Sequence, residues 1–534
     1  MRIVTIAAAL TGLSSAAPLW AQDTGPQSLV VDPQQGATPR PPEPLPEDRE
    51  PLPPVEVTPP RQVETVRSAT VETLGPPPEI PFRRPDVSLE TPADVLAAPG
   101  TDPLAIDRSS DPVLALAEAG ATRAQFAGIV RSAIARHPFV DEAEAELDEA
   151  EAIRNEARAL ALPVIDFSLS HFRVIDREFS NDPQNILERS RPEKRTDALL
   201  RLTAPVIDFG RAQARIASGN ERIAAAEANF EDSAHRLAQG SIAAWYQVFT
   251  YRALVRLGQA FLSNQDELRA ALQVRIEQGV SAPADLAQYD GYRAAAQSQL
   301  AQFHRQLETA EAQYRAYVGE DPPAELGRAP SAQTMEMTRD AAAALALELP
   351  LVERARRLAR AAEFDRKATE ALEKPGVSVG VDAGRYGVFE NQQDYDVRAN
   401  VTLTHRFLGG AKQRTDQATA RERRAEATFE RIRVEAERDA EIAWADVQAL
   451  EDATAAHRDN YFASRQSRDA LFERFRYARG TLYDVLNAQT NYFNVATRFI
   501  ASVSELDIAR YDLLAKTGLL LDALGIDSAE TIQP

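Results

Sequence analysis

The sequence predicts a mainly α fold with a small β part, internally duplicated, and three observations carry that prediction. The stretch Gly480 to Gly518 has a degenerate earlier copy at Gly279 to Gly319: at a shift of 199 positions Asp484 falls on Asp285, Val485 on Leu286, Leu506 on Leu307, Ala509 on Ala310 and Gly518 on Gly319. The stretches 211–278 and 412–477 contain no proline, so each can run as a single helix of about 100 Å at 1.5 Å per residue, longer than a globular core. Finally, each half contains a pair of short segments in which apolar and polar residues alternate, the period of strands with two unlike faces.

The N-terminal residues Met1 to Ala21 have Arg2, an apolar run from Ile3 to Leu13 and small residues before Ala21, the layout expected of a secretory signal peptide. Residues 22–112 are proline-rich, as in PRPPEPLPEDREPLPPVEVTPP, with no helical or strand period. They are expected to form a disordered, partly polyproline II leader acting as a spacer. Thr122 is an N-cap candidate for a helical region over 122–162, interrupted at His137-Pro138 and stopped by Pro163, because proline lacks the N–H that a helix interior requires.

Ile165, Phe167 and Leu169 then alternate with Asp166, Ser168 and Ser170, and after a polar loop containing Asn181, Asp182, Pro183 and Pro192, Leu200, Leu202, Ala204 and Val206 alternate with Arg201 and Thr203. The two predict a hairpin. It ends at Pro205 to Gly210 and passes into the first long helix. A turn at Gly279 and a helix over 284–318 complete the first repeat, 113–320, and a linker over 321–336 holds Pro322, Pro323 and Pro330.

The second repeat, 337–520, follows the same plan: a helix over 337–373, strands around Val377 to Ala383 and Val397 to Leu403, the junction His405 to Gly410, the second long helix, a turn at Gly480 and a helix over 483–517. Its junction has the pair Gly409-Gly410 where the first has Pro205 and Gly210. The half-length helices stack in pairs to match one long helix, which predicts a helical barrel of coiled-coil type. In the second long helix Ala425, Phe429, Ile432, Ala436, Ala440, Ala443, Val447 and Leu450 mark its apolar seam. Residues 521–534 are left as a C-terminal tail.

Four strands of about ten residues match the ~9–11 needed to cross a bilayer at a tilt. Four cannot close a barrel, whereas a membrane sheet can leave no open edge, so other subunits must complete it. Beyond residues 1–21, no run of about 18 apolar residues predicts a transmembrane helix. Cysteine is absent, which excludes disulfides, thiolate metal sites and a lipid-modified cysteine. The net charge of −20 excludes the basic footprint of a nucleic-acid binder.

No catalytic pattern emerges. The six histidines, His137, His171, His235, His304, His405 and His457, have no metal-ligand spacing, no Gly-x-Ser-x-Gly elbow occurs, and Gly-Gly-Ala-Lys412 lacks the spacing of a phosphate loop. We therefore expect no enzyme, no cofactor and no metal.

The motif DVLNAQ after a Gly-Thr turn, with its weaker copy upstream, resembles the TolC-like outer-membrane efflux and secretion channels, and the resemblance covers roughly Thr122 to Gly525. It implies a homotrimer with 12 strands in the outer membrane and most of the chain in the periplasm. Its partners would be outer-membrane lipid, a periplasmic adaptor (membrane fusion protein) and an inner-membrane ABC or RND transporter. The second copy is more similar to channels of type I protein secretion than to lipoprotein drug-efflux channels.

The resemblance also implies an entrance constriction at Asp484, Asn487 and Asp285. Family members carry a second acidic residue where Asn487 stands. Asp484 also sits where an Asp caps a helix. The turns Gly279, Val280 and Ser281, and Arg479, Gly480, Thr481 and Leu482, become the adaptor-docking tips. The family's gate-holding Arg aligns with Gly480, beside Arg479. A second reading, a periplasmic coiled-coil adaptor or structural protein, shares the long helices but does not require lipid-length strands in both halves.

Overall fold

The fold is described from a computed structural model, which defines residues 95–526 except 101–102, 104–105, 119, 179–183, 185, 187–189, 333–336, 391–393, 406–408 and 478. The chain divides into units Met1–Phe82 and Arg83–Pro534, and every described residue belongs to the second. The predicted signal peptide, most of the leader, and loop residues Asn181, Asp182 and Pro183 lie outside the described residues.

In chain order the elements are α1 (Pro112–Ala117), α2 (Arg123–Arg136), α3 (Pro138–Ala159), β1 (Val164–Arg173), β2 (Lys194–Ile207), α4 (Arg211–Glu277), α5 (Pro283–Val318), α6 (Arg339–Ala346), α7 (Pro350–Ala371), β3 (Gly376–Tyr386), β4 (Asp394–Thr404), α8 (Ala411–Arg476), α9 (Leu482–Lys516) and α10 (Leu520–Leu524). The long helices α4 and α8 have 67 and 66 residues, or about 100 Å each. Neither could be stable through propensity alone, and both are held by packing: α4 against α3, α5 and α7, and α8 against α7 and α9. Close approach is built in at Gly240, where a Cβ would overlap the Tyr317 ring.

The strands form one antiparallel sheet in the order β1-β2-β3-β4 among the described residues. Pro205 sits in an interior strand without breaking the ladder, because β2 there extends beyond β1, whose pairing ends at Val164 opposite Thr203. The register with β3 shifts between Pro205 and Ile207, a bulge that bends the strand toward α4.

At both strand-to-helix junctions the chain needs positive φ, with Gly210 at 83°, Gly409 at 77° and Gly410 at 78°, values that an L side chain rarely adopts. Gly210 has no side chain to cap α4. The carboxylate of Asp208 does so instead, accepting from Gly210 N at 3.0 Å and Ala212 N at 2.8 Å.

The largest buried cluster lies where the half-length helices meet, around Phe126, Trp245, Tyr246, Tyr314 and Tyr511. It fastens the linker by side-chain donors on carbonyls: Trp245 Nε1 to Gly327 O at 3.1 Å, Tyr246 OH to Ala329 O at 3.1 Å and Tyr511 OH to Pro330 O at 2.7 Å. A segment rich in proline offers carbonyls but few N–H groups, so it is bound by its acceptors.

Three boundaries differ from those expected. Some described residues of the leader's last part are packed: Leu96 is 1% exposed and Asp111 is buried, because Leu96 and Ile106, with Val113 just beyond, find an apolar cleft beneath them. The helix expected over 337–373 is two helices, since Pro350 occupies the first position of α7 and cannot donate to the preceding turn. The expected tail begins within a short helix whose Leu520, Leu521 and Leu524 join the main cluster.

Candidate functional site: the hairpin tips and the apolar sheet

Each repeat turns around at one end of its long helix. In the first, Gly279 adopts φ 74°, and Val280 N and Ser281 N return to Arg275 O at 2.9 and 3.3 Å. Pro283 opens α5, and Asp285 folds back so that its carboxylate accepts Ala282 N at 3.1 Å. In the second, Arg479 N returns to Arg474 O at 2.9 Å. Thr481 is the N-cap of α9: its hydroxyl accepts Asp484 N at 3.2 Å and donates to Asp484 Oδ2 at 2.7 Å. The two aligned aspartates thus hold equivalent places in the first turn of equivalent helices, where negative charge meets the positive end of the helix dipole. Asp484 is exposed, so its cap role leaves its charge accessible to solvent.

Beneath the turns, Leu268, Leu272, Tyr289, Phe475, Leu482, Val485 and Leu486 form a small core joining both hairpins. Arg275 bridges them: it donates to Phe475 O at 2.9 Å, to Ser281 Oγ at 3.3 Å, and lies 4.3 Å from the centroid of the Phe475 ring. Asn487 does not stand free beside Asp484. Its Oδ1 accepts Tyr292 OH at 2.8 Å. Gln265 Nε2 donates to Gln489 at 3.0 Å in a buried pair, and Tyr289 OH donates to Gln265 O at 2.7 Å; burial raises the Tyr289 pKa and keeps this donor protonated. Arg275, Tyr292, Gln265 and Gln489 had no signal in the sequence, since each has a partner on the other hairpin, about 200 residues away. The turn residues Gly279, Val280, Ser281, Arg479, Gly480 and Thr481 lie at the tips, whereas Leu482 is buried beneath them.

At the far end of the long helices the sheet sorts its side chains cleanly. Cross-strand rows place Ile165, Leu202, Val381 and Ala399 side by side, then Phe167, Leu200, Ala383 and Val397. Rows headed by Val377 and Leu403, and by Ala204, Val379 and Val401, extend this face toward the helices, and a row with Leu169, Ala198, Arg385 and Tyr395 ends it. Five rows two residues apart, tilted about 40°, rise roughly 20 Å, close to the ~25 Å apolar band of an outer-membrane barrel. Exposures of 67% at Ile165, 69% at Phe167 and 75% at Val401 mark a face with no protein cover in the single chain. The opposite face is polar, with Arg201 paired to Asp382 at 2.9 Å and Asn400 donating to Asp382 at 3.2 Å. No described helix is long and apolar enough to cross a membrane.

Duplicated long helices, a sheet with one lipid-like face and two hairpin tips at the opposite end are the arrangement of a TolC-like channel fold, and the chain is similar to the outer-membrane efflux proteins. The model of that family, described as "Outer membrane efflux protein", matches residues 129–320. The outer membrane efflux protein BepC of Brucella suis is 25% identical over 345 residues, covering 62% of this chain and 74% of its own. Among solved structures, the CmeC outer membrane channel of Campylobacter jejuni is similar at a TM-score of 0.65 with 14% identity, over 76% of this chain and 88% of its own. VceC, an outer membrane protein of Vibrio cholerae, is similar at 0.63 with 19% identity, over 75% and 96%.

Proposed function

We propose that three copies of this chain assemble into a passive exit duct of the outer membrane, their sheets closing a 12-stranded barrel and their helices a periplasmic tube. The observation that carries this reading is the four-stranded sheet whose β1 and β4 are edges and whose one face is apolar over roughly a bilayer's thickness. An open sheet in lipid leaves backbone N–H and C=O groups unpaired at several kcal/mol each, so edge must meet edge in a neighbouring copy. The polar face with Arg201, Asp382 and Asn400 then lines a wet lumen.

The hairpin tips lie at the periplasmic end, where Asp484 contributes a carboxylate ring to the entrance and the turns dock a periplasmic adaptor. The duct performs no chemistry; the energy comes from an inner-membrane ABC or RND transporter. The cargo is either a protein of a type I secretion system, as the second repeat's sequence suggests, or small molecules, as the names of efflux relatives suggest. A deletion strain compared with its complemented parent tests the function: loss of a secreted protein assigns the first cargo and sensitisation to dyes and antibiotics the second. An unchanged secretome with unchanged susceptibility would contradict export altogether.

A further inference from the structure

Below the main cluster, the described residues of 95–118 lie along the tip-side half of α8 and α9, and their anchors are more specific than apolar contact alone. Asp111, 1% exposed, caps α1 by accepting Val113 N at 2.9 Å and Leu114 N at 3.1 Å. The same carboxylate accepts Tyr461 OH at 2.9 and 3.1 Å and pairs with Arg465. Tyr461 OH lies 2.9 Å from Tyr492 OH, which links α8 to α9 at this level.

Nearer the tips, Arg468 donates to Ala97 O at 2.6 Å and Ala98 O at 3.2 Å, pairs with Asp469 and lies 4.1 Å from the centroid of the Tyr492 ring. Arg468 and Asp469 are only 3% and 2% exposed. At the other end Gly120 N and Ala121 N donate to Arg328 O at 3.0 and 3.1 Å, and Arg328 donates to Ala117 O at 2.6 Å. Arg328 is itself held by Asp507 of α9 at 2.6 and 3.0 Å. The segment is thus fixed at a belt near Asp507 and again at Arg468, about 12 Å from the end of α8 at 1.5 Å per residue.

We infer that residues 95–118 are a strap that holds the tip-side halves of α8 and α9 in register with the linker belt and so restrains widening of the entrance. Movement of Tyr461 and Arg465 away from the belt at Arg328 must stretch the strap between Asp111 and Gly120 or release an anchor, and release leaves the buried Asp111 carboxylate without its Tyr461 and Arg465 partners. The strap brings one carboxylate and two carbonyl oxygens to two guanidiniums spaced three residues apart on one face of α8, a match that a non-specific spacer does not need. The inference rests on the channel reading, because only a duct has an entrance to restrain.

The chain has no cysteine, which makes the test clean. In purified trimers, Arg468→Gln should raise resting single-channel conductance several-fold and speed amide exchange over 461–469. A Cβ at Gly100 would lie 3.9 Å from Asp469 Cγ. Adding Gly100→Cys with Asp469→Cys and oxidising should therefore return both readouts toward wild type, and reduction should reverse that. Should Arg468→Gln fail to assemble, Leu96→Ala, which removes an apolar anchor without stranding a charge, is read in its place with the same expectation. Wild-type conductance and wild-type exchange in an assembled variant, or a cross-link that restores neither, would overturn the strap. A wild-type trimer that conducts nothing overturns the channel reading, and the exchange data then decide the strap alone.

Discussion

Ala399 and Thr402 lie three residues apart on β4 but on opposite faces, Ala399 in the central apolar row with Ile165, Leu202 and Val381, and Thr402 on the polar face opposite Ser378. Replacing each with Arg therefore separates lipid from lumen with one side chain. In a transmembrane barrel an Arg at the bilayer midplane costs about 2–4 kcal/mol, falling to about 0–1 near the interfaces. Ala399 has two rows on either side, roughly 10 Å, so the Arg head cannot easily reach either surface. We expect the Ala399→Arg trimer to lose about 2–4 kcal/mol per protomer and roughly three times that if the trimer unfolds as one unit. Thr402→Arg should change stability by less than about 1 kcal/mol, because the side chain enters water. Urea unfolding in lipid vesicles, followed by the heat-dependent gel mobility of folded trimer, measures both. Equal losses in the two variants, or a larger loss for Thr402→Arg, would refute the assignment of the faces.

Asp507→Ala strands the Arg328 guanidinium at a site where Asp507 is fully buried, so it should cost about 3–5 kcal/mol, seen as a lower thermal midpoint. Asp512 has its pKa raised by burial, opposed by Lys516 and a hydrogen bond from Gln239. A carboxyl whose folded pKa exceeds its unfolded one destabilises the ionised folded state and regains stability as pH falls from the folded toward the unfolded value. Asp512→Asn should accordingly raise the thermal midpoint at pH 7, with the gap narrowing as pH falls toward the usual carboxylate range. Asp484→Ala should raise single-channel conductance and lower cation selectivity, whereas Thr481→Ala, which removes the cap at a cost of about 0.5–2 kcal/mol, should leave selectivity unchanged. Planar-bilayer recordings that show the same selectivity in both variants and wild type would leave Asp484 a cap alone.

The parts of this fold written in local spacing were readable in the sequence. The long α4 and α8 follow from proline-free runs, the strands from two-residue alternation at Ile165 to Leu169 and Val397 to Leu403, and the tips from glycine turns. What depends on partners distant in sequence was not. Asn487 reads as a pore-facing amide until Tyr292, 195 residues away, occupies it, and Gln265 and Gln489 resemble ordinary helix residues until they meet. The strap was hidden by composition: the prolines of the leader outweighed Leu96 and Val113, whose importance comes from a cleft built by α4, α8 and α9.

The central claim is that one chain's sheet is incomplete and that copies of the chain complete it. The mass of the detergent-solubilised mature protein, determined by light scattering with the detergent contribution separated, tests this most directly. The account predicts a single species of three protomers that retains both helix and strand; a stable, folded monomer would contradict it.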